Sequence, residues 1–274
     1  MTTPPDKAAP RPAASVVIIR DGAQGIEAFM IERHQGAGHA FSGALVFPGG
    51  KVDEEDRATG WAGLQRPTTE GPALEFWIAA VRETFEESGI LLARSGPSGA
   101  LVGGDDAARI VADARSTPGA SGASDPAPLA RIDFAELLRR EKLVPAVDAL
   151  IHFGHWITPL WAPRRFDTHF FLVGAPATQR VLLDADESAA GMWMRPADVL
   201  TQADAGKRSL VAVTRFTLEL LDTWSGVAEA TEAARRRRIV TVLPERVRDG
   251  DDVVLKIPVE AGYVRSQMKM VAGG

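Results

Sequence analysis

Apolar residues recur along the chain in short runs that predict two groups of β-strands, one before residue 50 and one after residue 147. In the first group, Ser15–Arg20 and Ile26–Arg33 are separated by Asp21-Gly22, which predicts two strands joined by a turn. Ala44–Phe47 predicts a third strand, ended by Pro48-Gly49-Gly50. The second group predicts strands at 147–158, 166–173 and 192–194, with a further candidate at 253–257.

The pattern becomes helical from Leu74 to Ser88, and Gly89 predicts the end of that helix because glycine readily adopts the left-handed conformation found there. Further helices are predicted near 106–115, 134–143, 196–202 and 210–224. Residues 95–128 are rich in Gly, Ala, Ser, Asp and Pro, so we expect an inserted excursion outside the core. Together these elements predict one α/β domain with an insertion and a helical C-terminal extension.

Composition narrows the classes of function. The chain has 274 residues, of which 45% are hydrophobic and 24% charged, which is enough apolar material for a core. The formal net charge of -5 provides no general attraction for nucleic acid or an anionic membrane, so neither is an expected partner. The chain lacks cysteine, which excludes disulfides and cysteine nucleophiles. We expect a cytoplasmic protein in which residues 1–11 form a flexible leader.

Residues 82–90 carry the candidate chemistry. On the predicted helix, Glu83, Glu86 and Glu87 stand at i, i+3 and i+4, so their carboxylates share one face. Apolar residues such as Phe85 occupy the opposite face, which predicts a helix that buries one side and displays a carboxylate cluster on the other. Such oxygens suit Mg²⁺ or Mn²⁺. The alternative interpretation is a solvated acidic helix face, the more common meaning of a glutamate cluster.

The cluster resembles the second half of a Nudix box, whose pattern is G-x5-E-x7-R-E-U-x-E-E-x-G-U, with U an aliphatic residue. The fixed positions of that half are matched by Arg82, Glu83, Glu86, Glu87, Gly89 and Ile90. Gly50 matches the first glycine, and counting onward places Asp56 where the family has glutamate. The pattern allows seven residues between this position and the arginine. In this chain residues 57–81 lie between Asp56 and Arg82, so the sequence indicates a split Nudix box. The added loop length costs little closure entropy.

The split box narrows the resemblance to the coenzyme A diphosphatase-like enzymes related to the peroxisomal Nudix proteins. Two motifs of that branch are similar to four stretches of this chain, Phe29–Arg33, Phe47–Gly50, His155–Pro159 and Arg164–Phe171. One feature departs from the branch, whose upstream motif contains a second arginine after the position of Arg33. This chain offers only His34 and His39 as basic residues there. The departure concerns substrate recognition and leaves the hydrolytic residues unchanged.

The resemblance implies an architecture, a Nudix-type α/β/α sandwich with a mixed sheet. Residues 12–204 would form the Nudix domain, with insertions near 57–73 and 95–130. Residues 205–274 would form the helical C-terminal extension and tail.

The resemblance also implies roles for particular side chains. Glu83, Glu86 and Glu87 would bind Mg²⁺ or Mn²⁺, and Arg82 would anchor them through a charge-assisted pair. Glu83 would also orient the attacking water. Glu187 is the second candidate for the general base, and its alternative interpretation is a surface acidic loop. The residues expected to bind substrate are Arg33, His39, Gly49 and Gly50.

The implied reaction is attack of a metal-polarised water on a diphosphate linkage in a nucleotide-like small molecule, with coenzyme A or acyl-coenzyme A as the first candidate substrate. ADP-ribose or an NADH-type dinucleotide is the alternative substrate. The alternative class is a non-catalytic nucleotide-binding regulator with a Nudix fold. The glutamates argue against a pure regulator, because binding alone needs no mutually repulsive carboxylates. A homodimer is compatible with the sequence.

Two weaker signals remain. His152, His155 and His169 lie on predicted strands without a recognisable ligand spacing, so they do not predict a zinc site. The run Arg235–Arg238 could grip phosphate, but cations at a helix end usually complement the helix dipole and are solvated, which is the interpretation we favour.

Overall fold

The computed structural model describes residues 9–33, 43–57, 59–61, 64, 67, 71–96, 99–116, 128–181 and 188–270. Its helices are α1 (Leu74–Ser88), α2 (Gly104–Arg115), α3 (Phe134–Arg140), α4 (Pro196–Asp204), α5 (Ala212–Leu221) and α6 (Val227–Arg236). Its strands are β1 (Arg11–Gly22), β2 (Gly25–Arg33), β3 (Ala44–Val46), β4 (Gly49–Lys51), β5 (Ala93–Arg94), β6 (Val144–Pro145), β7 (Ile151–Ile157), β8 (Phe166–Gly174), β9 (Ser188–Met194), β10 (Ser209–Leu210), β11 (Thr241–Val242), β12 (Glu245–Asp249), β13 (Asp252–Lys256) and β14 (Gln267–Lys269). None of these helices is long and apolar enough to cross a bilayer.

One mixed sheet organises the chain around β1. Its strand order is β10-β3-β2-β1-β8-β7-β11, and β4 and β9 pair additionally with β1 and β2. β1 runs parallel to β8 along one edge, and its other edge is shared by β2 and β4, which are both antiparallel to it. A strand covered on both faces needs a continuous apolar run, and Val16–Ile19 provide it.

Helices cover both faces of this sheet. α1, α2 and α3 contribute buried residues to a core that includes Val16 and Ile18 of β1. The opposite core contains Val17 and Ile19 with buried residues of α4, α5 and α6. We call these two sides the α1 face and the α5 face. The expected α/β/α sandwich with a mixed sheet is confirmed.

The predicted bounds of α1 are correct at both ends. The helix spans Leu74–Ser88, and Gly89 follows it with φ 69°, donating its N–H to the carbonyl of Phe85. A left-handed residue at this position is accessible to glycine without the steric cost that a Cβ would bring.

The first hairpin turns later than predicted. The pair Gly22↔Gly25 closes it around Ala23-Gln24, whereas the sequence placed the turn at Asp21-Gly22. Gly25 has φ 113°, which residues with a Cβ rarely adopt. Asp21 accepts a hydrogen bond of 2.8 Å from the N–H of Val227, at the first residue of α6. Asp21 therefore caps the N-terminus of α6 and does not form the turn of the hairpin.

The described part of the segment 95–128 includes a helix that packs into the core, contrary to expectation. One face of α2 contributes four buried residues to the core of the α1 face, namely Ala107, Ile110, Val111 and Ala114. The start of α2 also contacts the segment that follows β8, because the N–H of Gly104 donates to Oγ1 of Thr178 at 2.8 Å. The helix predicted near 106–115 is therefore present, but it packs into the core.

The C-terminal extension is helical only in its first half. After α5 and α6, strands β12, β13 and β14 form a separate antiparallel sheet, of which only β13 had a counterpart in the sequence analysis. β12 reads ERVRD, which is too polar to show an apolar period. Leu255 and Ile257 attach this region to the core of the α5 face.

Arg237 belongs to this attachment, so the run Arg235–Arg238 is not simply solvated. Its guanidinium lies 4.6 Å from the ring centroid of Tyr263 and donates to the carbonyls of Ala261 and Gly262. Nε1 of Trp156 in β7 donates to the Tyr263 hydroxyl at 2.7 Å. The extension is therefore fastened to the main sheet by an arginine that the sequence analysis assigned to solvent.

The packing of α2 leads to a stability prediction. We expect Ile110→Ala to lower the free energy of unfolding by about 3 kcal/mol, because it opens a cavity in the core of the α1 face. Asp113→Ala, at an exposed position of the same helix, should change it by less than about 0.5 kcal/mol. Urea unfolding of both variants measures the difference. Equal small effects would show that α2 is not part of the folded core.

Candidate active site

The glutamates of α1 lie directly against β4. The backbone N–H of Gly49 donates to Oε2 of Glu87 at 2.7 Å. A Cβ on Gly50 would stand 2.3 Å from Oε1 of Glu83, so the Glu83 carboxylate occupies space that only glycine leaves open. The two glycines that end the predicted third strand are therefore in direct contact with the carboxylate cluster.

This contact changes the expected exposure of the cluster. Glu83 and Glu87 are only 9% and 6% exposed, and the side chain of Glu86 is 14% exposed. The prediction that α1 displays these carboxylates to solvent is wrong. Helical periodicity separates the two faces of a helix but does not reveal what covers each face, and here β4 covers the polar one.

Arg82 stands at the centre of the cluster. Its Nε and Nη2 donate to the two carboxylate oxygens of Asp56 at 2.9 and 2.8 Å. Its Nη1 donates to Glu83 at 3.0 Å and to Glu86 at 2.9 Å, and Nη2 also reaches the carbonyl of Lys51 at 2.9 Å. One planar guanidinium thus orients three carboxylates and a backbone carbonyl.

The electrostatics of Arg82 favour its charged form. Burial by itself lowers its pKa, but the hydrogen bonds that it donates to Asp56 and the charges of Glu83 and Glu86 together raise the pKa above its ordinary value. The guanidinium therefore stays positively charged inside the protein, where it offsets part of the repulsion among the carboxylates.

Asp56 joins the two halves of the split box. It lies 26 positions before Arg82 in the chain, is 2% exposed, and forms a two-pronged ion pair with it. Asp56 also accepts a hydrogen bond of 2.8 Å from the N–H of Asp53, which fixes the turn that carries it. The two matched stretches are therefore in direct contact, although 25 residues separate Asp56 from Arg82 in the chain.

The cluster gathers four carboxylates. Those of Asp56, Glu83 and Glu86 pair with the guanidinium of Arg82, and that of Glu87 accepts a hydrogen bond from Gly49. Carboxylate oxygens are the ligands that Mg²⁺ and Mn²⁺ prefer. The donor set therefore fits the divalent ion that the sequence suggested.

Of the remaining predicted site residues, the structure describes only some. Arg33 is the last residue of β2, and its backbone pairs with Ser188 of β9. His39 and Glu187 lie outside the described residues. The structure therefore brings together the residues of the box and both glycines, while the proposed roles of Arg33, His39 and Glu187 stay predictions.

Sequence reasoning missed a cluster of histidines on the α1 face. His155 of β7 pairs with His169 of β8, and their rings stack with centroids 4.0 Å apart and planes inclined by 8°. Nε2 of His155 lies 2.5 Å from Oδ1 of Asp167, and Nδ1 of His169 lies 2.9 Å from Nε2 of His152. Three histidines that are isolated in the sequence are therefore neighbours in the sheet.

The histidine cluster has perturbed acid-base properties. Burial, followed by the charge of His155, lowers the pKa of His152 to about 4. The same two causes, with a further contribution from His152, lower the pKa of His169 to about 3. The sequence signal was the pair Asp167 and His169, which stand two residues apart and so share one face of a strand. The partners on β7 could be known only from the strand register.

Arg82 has one buried and one exposed aspartate partner, and the effect of replacing each of them on stability tests the site. We expect Asp56→Asn to lower the free energy of unfolding by about 3 kcal/mol, because it breaks a buried ion pair. Asp53, which is 59% exposed and 3.8 Å from the same guanidinium, supplies the control. Asp53→Asn should cost less than about 1 kcal/mol. Urea unfolding in the presence of a chelator measures both, and equal losses would contradict the central role of Asp56.

Comparisons with known proteins point to one family. A family model described as the NUDT19 Nudix domain matches residues 71–212, about half of the chain. Putative nudix hydrolase 7 of Caenorhabditis elegans is 31% identical over 166 residues, covering 61% of this chain and 46% of the relative. Acyl-coenzyme A diphosphatase NUDT19 of Homo sapiens is 29% identical over 215 residues, covering 64% and 55%. The chain spans about half the length of the curated relatives it matches.

A solved structure agrees with the fold. The crystal structure of a NUDIX hydrolase from Alicyclobacillus acidocaldarius is 26% identical and superposes with a TM-score of 0.67, covering 83% of this chain and 97% of that one. The matched family region includes all of α1 and its carboxylates. The chain therefore belongs to the Nudix hydrolase family, with a Nudix domain of the NUDT19 type.

Proposed function

We propose that this chain is a metal-dependent hydrolase that cleaves the diphosphate linkage of coenzyme A or an acyl-coenzyme A. The observation that carries the proposal is the buried cluster in which Arg82 holds Asp56, Glu83 and Glu86 together while Glu87 is bound by Gly49. Carboxylates gathered in this way supply the oxygen ligands that a divalent cation requires. A diphosphate substrate brings oxygens that can share that cation.

The proposed roles of the cluster follow from its contacts. Glu83, Glu86 and Glu87 would hold Mg²⁺ or Mn²⁺, which when bound neutralises charge on the diphosphate oxygens and lowers the pKa of a coordinated water. Arg82 sets the direction of two of these carboxylates, and Asp56 holds Arg82 in place. Prior orientation of charged groups of this kind reduces the reorganisation needed when charge develops in the transition state.

Gly49 and Gly50 are proposed to receive the diphosphate. Both lie in β4 beside the glutamates, so a diphosphate that shares the cation of these glutamates would come close to this strand. Glu83 is the first candidate to accept the proton of the attacking water, because its carboxylate lies at Gly50. Glu187 is the second candidate, and it directly precedes Ser188, whose backbone pairs with that of Arg33.

The choice of coenzyme A is supported by the relatives and by the upstream motif. The human relative is named an acyl-coenzyme A diphosphatase, and Arg33 lies in the stretch that resembles the motif of that branch. Arginine binds phosphate through a planar fork of donors, which suits recognition of a 3′-phosphate. His39 could take the place of the second arginine of the motif only in its protonated form.

Removal of one charge from the cluster tests the metal-dependent reaction. We expect Glu87→Gln to lower kcat with Mg²⁺ by at least about a hundredfold, or about 2.7 kcal/mol, because a proposed metal ligand loses its charge. The fold should be retained, since the glutamine carbonyl can still accept the hydrogen bond from Gly49. Glu75→Gln is the matched control, because Glu75 lies in the first turn of the same helix and pairs weakly with Arg57. A Glu87→Gln enzyme that keeps most of its turnover would refute the assignment.

A comparison of substrates tests the proposed specificity. We expect coenzyme A to be cleaved to 3′,5′-ADP and 4′-phosphopantetheine. Arg33→Ala should raise KM for coenzyme A roughly tenfold or more, the loss of one charged contact, and much less for dephospho-coenzyme A, which lacks the 3′-phosphate. Arg20→Ala, which removes the exposed arginine paired with Glu27, is the control. If ADP-ribose or NADH has a kcat/KM about tenfold above that of coenzyme A, the substrate assignment fails while family membership stands.

A further inference from the structure

The histidine cluster on the α1 face has the composition of a cation site. His155, Asp167 and His169 each offer one ligand atom, and these atoms lie within 4.8 Å of one another. We infer that these three residues form a second cation site that prefers a Zn²⁺-like transition ion to Mg²⁺. This inference goes beyond the proposed hydrolysis, which needs only the carboxylates of α1.

The distances are close to those that one ion requires. Zn²⁺ binds nitrogen and oxygen at about 2.0–2.2 Å, so neighbouring ligand atoms around a tetrahedral ion are about 3.4 Å apart. Nε2 of His155 is 2.5 Å from Oδ1 of Asp167, and the stacked rings of His155 and His169 are 4.0 Å apart between centroids. Binding therefore needs a movement of about 1 Å and a tilt of the rings about χ2, a torsion with a broad energy minimum.

Each histidine already has a partner for its second ring nitrogen. Nδ1 of His155 lies 2.8 Å from Oγ1 of Thr241, and Nδ1 of His169 lies 2.9 Å from Nε2 of His152. Histidines that bind metals almost always donate their other N–H to such a partner, which fixes the tautomer and directs the remaining nitrogen to the ion. With both Nδ1 atoms engaged, Nε2 of each ring is the nitrogen available to a cation.

The strand register separates this site from the glutamates. Gly50, Ala14, His169, His155 and Thr241 form one row across β4, β1, β8, β7 and β11. Adjacent strands are about 4.8 Å apart, so His169 lies about 10 Å from Gly50. Because ligand atoms lie about 2 Å from their ion, one ion cannot bind both the glutamates at Gly50 and the ring of His169.

Helix α1 passes over both sites. Phe76 in its first turns contacts the ring of His169 at 4.6 Å between centroids, and Glu83 lies against Gly50. Seven residues of helix rise about 10 Å, which matches the distance between the two strands. The two sites are therefore neighbours on the same sheet face, beneath one helix.

The ligand types determine which ion is preferred. Two imidazole nitrogens and one carboxylate suit borderline transition ions, whereas Mg²⁺ prefers oxygen ligands and retains water. Within the described part of the chain the group has three members, so water or a ligand oxygen would complete the coordination of the ion.

The site can be tested by metal binding without measuring hydrolysis. The full chain, released from any histidine tag and stripped with a chelator, is dialysed against Zn²⁺ in a large excess of Mg²⁺. We expect one Zn²⁺ to be retained per chain. Asp167→Asn and His169→Gln should each weaken binding by at least about tenfold, and His152→Gln should weaken it by about ten- to a hundredfold through the lost support of His169.

Two further measurements make the result decisive. Glu87→Gln should retain the Zn²⁺, because it alters only the carboxylate site. Co²⁺ substituted for Zn²⁺ should show the intense visible absorption of a nitrogen-ligated tetrahedral site, and this absorption should disappear in Asp167→Asn even if His169→Gln fails to fold. Retention of Zn²⁺ by the triad variants with its loss in Glu87→Gln would overturn the inference. No retained Zn²⁺ would also overturn it and would identify the histidines as a structural network.

Discussion

The buried ion pair between Arg82 and Asp56 is the interaction on which the site depends. Arg82 belongs to α1 and Asp56 to a short turn after β4, so their pairing connects the helix to the preceding strand across the inserted residues. The same guanidinium orients Glu83 and Glu86. Removal of Arg82 would leave the buried carboxylate of Asp56 without its cation, which is more costly than the pair itself is stabilising.

Close packing around β4 is the second constraint. It requires glycine at two successive positions, because a Cβ at Gly49 would meet the carbonyl of Ala14 in β1 and one at Gly50 would meet the Glu83 carboxylate of α1. The long parallel pairing of β1 with β8 then extends the same row of the sheet to the histidines. Helix α1 thus passes over two clusters of polar side chains, its own glutamates at β4 and the histidines of β7 and β8, about 10 Å apart across the sheet.

Local patterns predicted the parts of the protein whose cause is local. The period of α1, its end at Gly89 and the strands that become β1, β2 and β8 follow from apolar spacing and from glycine. The halves of the box could be recognised because their residues lie close together within each half. Composition misled about α2, which was predicted as a helix but placed outside the core, and local pattern misled where the stabilising contact is distant, as with Asp21 and Val227.

The sequence by itself predicted an α/β domain and a helix with three carboxylates on one face, because these depend on residue type and short spacing. Its resemblance to the Nudix box indicated the family and implied the sandwich of helices and strands. Only the tertiary structure decided that the carboxylates are buried against β4, that Asp56 reaches Arg82, and that His155 lies beside His169. These relations join residues far apart in the chain, where strand register and helix packing place them. Register depends on the pairing of whole strands, a long-range property that no local pattern of residues contains.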